Sequence, residues 1–175
     1  MPSYAKFDIW QNTAGIIRQT ILQVVTVVKT DTFATTSTTP VDISGLSANI
    51  TLSSNTNKVL ITGTLYAGTD NPYSGAWLFG GLLARNGTAI SRHDVASNRG
   101  RLFWGTQAPG NTDETIAFPI NFLDSPTSTS QLTYSLQAQA ESPRTVWINR
   151  GAETDGDVSI SARFVSTLIL MEVAS

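Results

Sequence analysis

The sequence predicts an all-β fold, specifically an antiparallel jelly-roll-like β-sandwich preceded by a short N-terminal arm. Apolar and polar residues alternate with a period of two along much of the chain, whereas helical periodicity is almost absent. Turn sequences separate the alternating segments, and Asn86-Gly87 is the strongest of them. The 175 residues have room for about seven to nine strands around one core. Together these observations favour a single sandwich.

Four segments carry the alternation: residues 58–66, 115–123, 131–140 and 158–164. In the third, Leu132, Tyr134, Leu136 and Ala138 fall on one face, and polar residues occupy the other. Each segment is therefore predicted to be a half-buried strand.

Turn residues are expected to connect these strands. Asn86-Gly87 predicts a tight hairpin of type I′, while Ser44-Gly45, Pro109-Gly110 and Asp155-Gly156 predict further turns. Pro119 lacks the N–H that a sheet ladder needs, so its strand is predicted to lie at an edge or to be interrupted there.

Residues 21–28 and 165–173 are apolar on both faces, which is typical of strands that are covered on both sides. Two interpretations remain open: these are central strands under long loops, or one cover is a second copy of the chain. The second interpretation makes five residues candidates for an oligomer interface: Leu22, Val24, Val28, Leu168 and Leu170.

The composition also favours an oligomer, in which part of the surface of each chain is buried. Hydrophobic residues make up 41% of the chain and charged residues only 14%, below the roughly 25% charge of an average domain. The net charge of −2 argues against a nucleic-acid partner, and no apolar run reaches the ~18 residues that span a bilayer. The chain has no cysteine, so its core must hold the fold without disulfides.

Residues 1–18 differ from the single sandwich domain predicted for residues 19–175. They carry Tyr4, Phe7 and Trp10, which are large side chains in a segment too short to build its own core. Such aromatic anchors often dominate the binding energy of an interface. We predict a docking arm; the alternative is an edge strand of the same domain.

No catalytic or cofactor site is predicted. His93 is the only histidine, which excludes a histidine pair for zinc within one chain, and no phosphate-binding loop or nucleophile elbow is present. The cluster Glu153, Asp155 and Asp157 surrounds a glycine turn and could hold a weak Ca²⁺, but an ordinary solvated turn is the favoured interpretation. The sequence therefore predicts a protein that is not an enzyme.

Arg99, Arg101 and Trp104 are candidate receptor contacts, because guanidinium and aromatic groups in loop-rich sequence suit stacking on sugars. In the alternative, which is favoured, the tryptophan belongs to the core and the arginines are solvated.

Residues 30–68 combine a threonine-rich run, an Asp-Ile-Ser-Gly-Leu-Ser turn and a Lys-Val-Leu strand. This order resembles a module of bacteriophage fibre and appendage proteins, and the likeness extends to residues 21–29 and 166–173. The resemblance implies a non-enzymatic virion protein of tail-fibre or fibre-head type, assembled in the host cytoplasm. It also implies a homotrimer that is joined to other virion proteins through its N-terminal end. A host surface glycan is the further partner expected if Arg99, Arg101 and Trp104 are receptor contacts. Capsid decoration and a free lectin-like module remain the alternatives.

Overall fold

The computed structural model describes residues 20–70, 78–107, 114–141, 144–152 and 162–175. Within these ranges the chain forms twelve β-strands and no helix. All strand pairs are antiparallel, and the strands form a sandwich-like arrangement around one core. The predicted all-β sandwich is confirmed.

The large sheet contains six strands. Its main part has the order β1 (Ile21–Lys29), β12 (Ser166–Val173), β4 (Lys58–Thr69), β9 (Ile116–Asp124). At the far end of β4, the sheet continues through β11 (Val146–Ile148) to β2 (Phe33–Thr35).

The opposite layer is built on β10 (Leu132–Ala138). It pairs with β3 (Val41–Ile50) on one side and with β6 (Leu83–Arg85) on the other. The hairpin strand β7 (Thr88–Ala89) follows β6, and β5 (Leu78–Gly81) pairs with β8 (Trp104–Gln107). Gly80 forms a bridge to Gln139, which joins this two-stranded sheet to the end of β10.

The strand order is that of a jelly roll. Consecutive strands repeatedly change layers, so β3 packs across the core from β1 and β12, and β10 lies between strands that are distant from it in sequence. Two four-stranded rows face each other across the core. One row is β1-β12-β4-β9; in the other, β3 and β10 are followed by the successive strands β5 and β6, and β8 pairs with β5.

The alternating residues fill the space between the layers, as predicted. Val59, Ile61 and Leu65 of β4 are fully buried, and so are Tyr134 and Leu136 of β10. At one end of the core, the Tyr134 hydroxyl donates to Asp124 at 2.7 Å, and Arg85 pairs with the same carboxylate at 2.6 Å. Burial and the hydrogen bond to Asp124 raise the pKa of Tyr134, so the phenol stays neutral and acts as the donor. This network connects the two layers.

Of the three predictions made from turn residues and proline that fall within the described residues, two are confirmed by the structure, and one is wrong. Asn86 and Gly87 have φ values of 50° and 78° and join β6 to β7, which confirms the predicted type I′ hairpin. Among the described strands, β9 pairs only with β4, so the prediction that Pro119 lies in an edge strand is also confirmed. The turn expected at Ser44-Gly45 is wrong. These residues form a bulge inside β3, opposite the register shift between Ser135 and Gln137.

Candidate interface on the large sheet

The strand register brings twelve side chains together on the side of the large sheet that points away from the core. They form three rows across β1, β12, β4 and β9, and we call this surface the outer face. The rows are Val24–Met171–Leu60–Leu123, Thr26–Ile169–Thr62–Asn121 and Val28–Thr167–Thr64–Pro119.

The outer face is uncharged. Every one of its residues is aliphatic, a threonine, an asparagine, a proline or a methionine, and Lys58 lies beyond the first row, at the start of β4. An antiparallel sheet that faces water on one side ordinarily presents polar and charged side chains there. The outer face has no charged side chain, and its polar side chains are four threonines and one asparagine.

The opposite layer provides the comparison within the same molecule. The solvent side of β3 and β10 carries Asp42, Ser47, Asn49, Thr133 and Gln137. Several of these side chains bond to each other across the strands, as in the 2.9 Å hydrogen bond from Gln137 to Asp42 and the 2.7 Å bond from Thr133 to Asn49. The outside of this layer is thus polar and carries a charged side chain, whereas the outer face is uncharged and more apolar.

The apolar side chains of the outer face are accessible. Val24 is 55% exposed, Val28 56% and Leu123 50%. Leu22, at the register shift near the start of β1, is 47% exposed. Contiguous apolar surface of this kind is uncommon on monomers and marks interaction sites. The outer face can therefore bind a flat, apolar partner surface.

Two of the residues predicted at an oligomer interface do not lie on this surface. Leu168 and Leu170 are both fully buried and pack in the core, so their assignment to an interface is wrong. In β12, Ile169 and Met171 point outward instead. The remaining three predicted residues, Leu22, Val24 and Val28, are exposed on β1, but their role as contacts stays a prediction.

A buried carboxylate holds β1 in place beside this surface. Glu172 of β12 is 1% exposed and accepts hydrogen bonds from the Ser53 amide and hydroxyl at 2.7 Å and from Asn57 at 2.6 Å. Its other oxygen accepts from Gln23 of β1, which also donates to the Thr51 carbonyl. Burial by itself raises the pKa of Glu172, but the hydrogen bonds from Asn57, Gln23 and Ser53 outweigh it and hold that pKa below its usual range.

The structure separates the three predicted receptor contacts. Trp104 is 4% exposed, packs on Phe118 with ring centroids 5.3 Å apart, and donates its indole N–H to the Gln137 carbonyl at 3.0 Å. Its proposed contact with a receptor is therefore wrong, and the alternative that placed it in the core is confirmed. Arg99 is exposed, and Arg101 is half-buried with its Nε donating to the His93 carbonyl.

Several predictions lie outside the described residues. These are the docking arm with Tyr4, Phe7 and Trp10, the turns at Pro109-Gly110 and Asp155-Gly156, most of the strand at residues 158–164, and the acidic cluster Glu153, Asp155 and Asp157. In the part of the chain that the structure describes, no three potential metal ligands come together. That same part contains no helix of the length and hydropathy needed to cross a bilayer.

Of the twelve outer-face residues, the sequence placed only Val24 and Val28 at an interface. Leu60, Met171 and Leu123 share the first row with Val24, but each belongs to a different strand. Their signal in the sequence is an apolar residue at a position where the alternation calls for a polar one. Only the register shows that these exceptions are neighbours.

No protein-family model matches the chain, and no curated protein is significantly similar to it. Among solved structures, it is similar to the structure of infectious bursal disease virus Gx strain, with 18% identity, a TM-score of 0.41 and coverage of 100% of this chain and 41% of the other. The structure of the Gt strain of that virus has 14% identity and a TM-score of 0.41, and the match covers 99% of this chain and 44% of the other. A mutant VP2 protein of that virus, in derived T=1 particles, has 15% identity and a TM-score of 0.41, and the match covers 98% of this chain and 40% of the other. This chain spans less than half the length of those chains, and values this low carry no functional assignment.

Proposed function

We propose that this chain is a non-enzymatic structural protein of a bacteriophage particle, a small β-sandwich appendage of tail-fibre or fibre-head type. Three copies associate through the outer face, and residues 1–18 attach the trimer to other virion proteins. The resemblance of residues 30–68 to the fibre module supports the phage assignment. Jelly rolls occur in viral, lectin and cupin proteins alike, so the fold alone does not choose among these functions.

The uncharged outer face is the observation that carries the proposal. A second copy of the same face suits it, because neither surface brings a charge that would have to be desolvated or that would repel its counterpart. Residues such as Val24, Met171 and Leu60 form an apolar band across adjacent strands, and burying such a band is the main source of stability in obligate interfaces. The three-fold symmetry rests on the resemblance.

Val24→Glu should leave a folded chain that no longer associates. The substitution places a charge in the first row of the outer face, and burying it without a partner costs several kcal/mol, on the order of the stability of a whole interface. Light scattering after size-exclusion chromatography should give three times the 18.8 kDa chain mass for the unmodified protein and the single-chain mass for the variant.

Ser47→Glu is the matched control, because it adds the same charge at an exposed strand position on the opposite layer. It should leave the trimer intact. A monomeric unmodified protein at high concentration, or a Val24→Glu variant that still associates, would contradict the proposed interface.

Removal of residues 1–18 should abolish incorporation into phage particles and leave a folded trimer. The expected cause is loss of the aromatic anchors Tyr4, Phe7 and Trp10, whose burial in a partner would supply most of the docking energy. Quantitative mass spectrometry of purified particles measures the result. A few to a few dozen copies of the full chain per particle fit an appendage, whereas hundreds would indicate a capsid decoration protein. Unfolding of the truncated chain would contradict the arm.

A further inference from the structure

A shallow groove of about 300 Å³ lies where the loop between β7 and β8 meets the open edge of β9. It is lined mainly by Ile90, Arg92, His93, Leu102, Phe103 and Phe122. Its volume is at the lower end of the range for ligand-binding clefts. No residue of the outer face takes part in it.

The floor of the groove is apolar and held in place by the strands beneath it. Phe103 and Phe122 meet edge to face with ring centroids 5.8 Å apart, and both are only partly buried. The Phe103 amide donates to the Gly81 carbonyl at 2.8 Å, and the Ile90 amide donates to the Leu83 carbonyl at 3.0 Å. The groove therefore exists before any ligand arrives, as ligand sites usually do.

The rim of the groove is cationic. Arg92 is exposed, and the neighbouring His93 backbone carbonyl accepts a hydrogen bond from Arg101. In residues 91–101 the three arginines outnumber the single acid, Asp94, although the whole chain has a net charge of −2. Of the described residues that line the groove, none is acidic. A local excess of positive charge over an apolar floor attracts anions that also carry an apolar face.

We propose that this groove binds a saccharide unit that carries a carboxylate. The apolar face of the sugar ring lies on Phe103 and Phe122, and the carboxylate pairs with the Arg92 guanidinium, with an imidazole N–H of His93 as a further donor. Guanidinium and carboxylate match in geometry and form strong charge-assisted hydrogen bonds. The open shape suits a ligand that stays partly hydrated, whereas a purely apolar ligand would need a more enclosed cavity.

Calorimetric titration of the full chain tests this inference with a disaccharide that contains glucuronic acid and with its neutral glucose counterpart. The acidic disaccharide should bind at least about ten-fold more tightly, because the neutral sugar lacks the charged partner of Arg92. Arg92→Gln should remove that preference. Arg99→Gln is the matched control: it removes the same charge from the same loop at a position that does not line the groove, and it should leave binding unchanged.

Phe122→Leu keeps an apolar side chain in the groove but removes an aromatic surface, and it should weaken both sugars together. Equal binding of the two disaccharides, equal losses from Arg92→Gln and Arg99→Gln, or no binding at all would overturn the inference. Tighter binding of an acidic peptide than of the acidic sugar would also overturn it. None of these outcomes depends on particle assembly, so the inference can fail while the proposed function stands.

Discussion

Gly81→Ala is expected to lower the free energy of unfolding by roughly 4 kcal/mol or more, enough to leave a domain of ordinary stability largely unfolded. A Cβ atom at this position would lie 1.6 Å from the Gln137 carbonyl oxygen and 2.8 Å from the Trp104 indole nitrogen. The first contact is with backbone, which cannot turn away as a flexible side chain would.

Relief of this clash would require β5 and β10 to separate, and hydrogen bonds would be lost with them. The Gln137 carbonyl accepts from the Leu82 amide at 3.2 Å and from the Trp104 indole at 3.0 Å. Moving that oxygen would leave both buried donors without a partner, and each unsatisfied donor costs about 1–3 kcal/mol. The steric cost and the polar cost add, because they arise from the same displacement.

Gly87→Ala is the control for Gly81→Ala, because it tests the cost of a backbone conformation that favours glycine without any steric clash. Gly87 has a backbone conformation that favours glycine, with φ of 78°, whereas Gly81 does not, and nothing lies within 4 Å of the Cβ that would be added at Gly87. This variant should lose only about 1 kcal/mol. Urea unfolding of both variants and the unmodified protein, at one fixed chain concentration, measures the difference. Similar losses in the two variants would show that close packing at Gly81 does not hold the layer together.

The fold could be predicted because its main signals are local. Leu132, Tyr134 and Leu136 alternate with polar residues, and a strand with one dry side is the only regular structure that buries such a set together. The Asn86-Gly87 pair predicted a hairpin for an equally local reason, since both residues accept positive φ at little cost. Neither prediction needed knowledge of which strands become neighbours.

The candidate site could be predicted only in part, because it depends on neighbours across strands. In β12 both faces are apolar, and the period alone does not show which face is the core; Leu168 and Leu170 proved to be inside. Trp104 lies in loop-rich sequence, which left a receptor contact open beside the favoured place in the core; its pairing with Gly81 places it in β8, and its ring lies in the core. The outer face itself appears only when β1, β12, β4 and β9 are set in register.

Glu172→Gln is expected to lower the free energy of unfolding at pH 7 by about 2–3 kcal/mol with almost no change in shape. The carboxylate accepts from Ser53, Asn57 and Gln23, so all of its surroundings are donors. A glutamine replaces one acceptor oxygen with an NH₂ group, which must then face another donor. The loss should be concentrated at β1, and hydrogen exchange of the amides around Gln23 should speed up more than that of the core of β10.

The pH dependence of stability distinguishes the effect of the negative charge of Glu172 from the effect of its side-chain shape, which glutamine keeps. The folded-state pKa of Glu172 lies below the ordinary value of 4.5, so its contribution to stability is complete above that pH and is lost as pH falls through the folded-state pKa. Unfolding measured between pH 7 and pH 3 should therefore show an acid-dependent loss in the unmodified protein that is smaller in Glu172→Gln.

Asp42→Asn is the control for this measurement, because Asp42 is an exposed carboxylate on the opposite layer and its replacement should cost at most about 1 kcal/mol. If Glu172→Gln matches the unmodified protein at every pH, the buried carboxylate does not anchor β1. If it instead loses stability and also weakens self-association, while Asp42→Asn does neither, the position of β1 is what gives the outer face its shape. The interface would then depend on a polar anchor beneath an apolar surface.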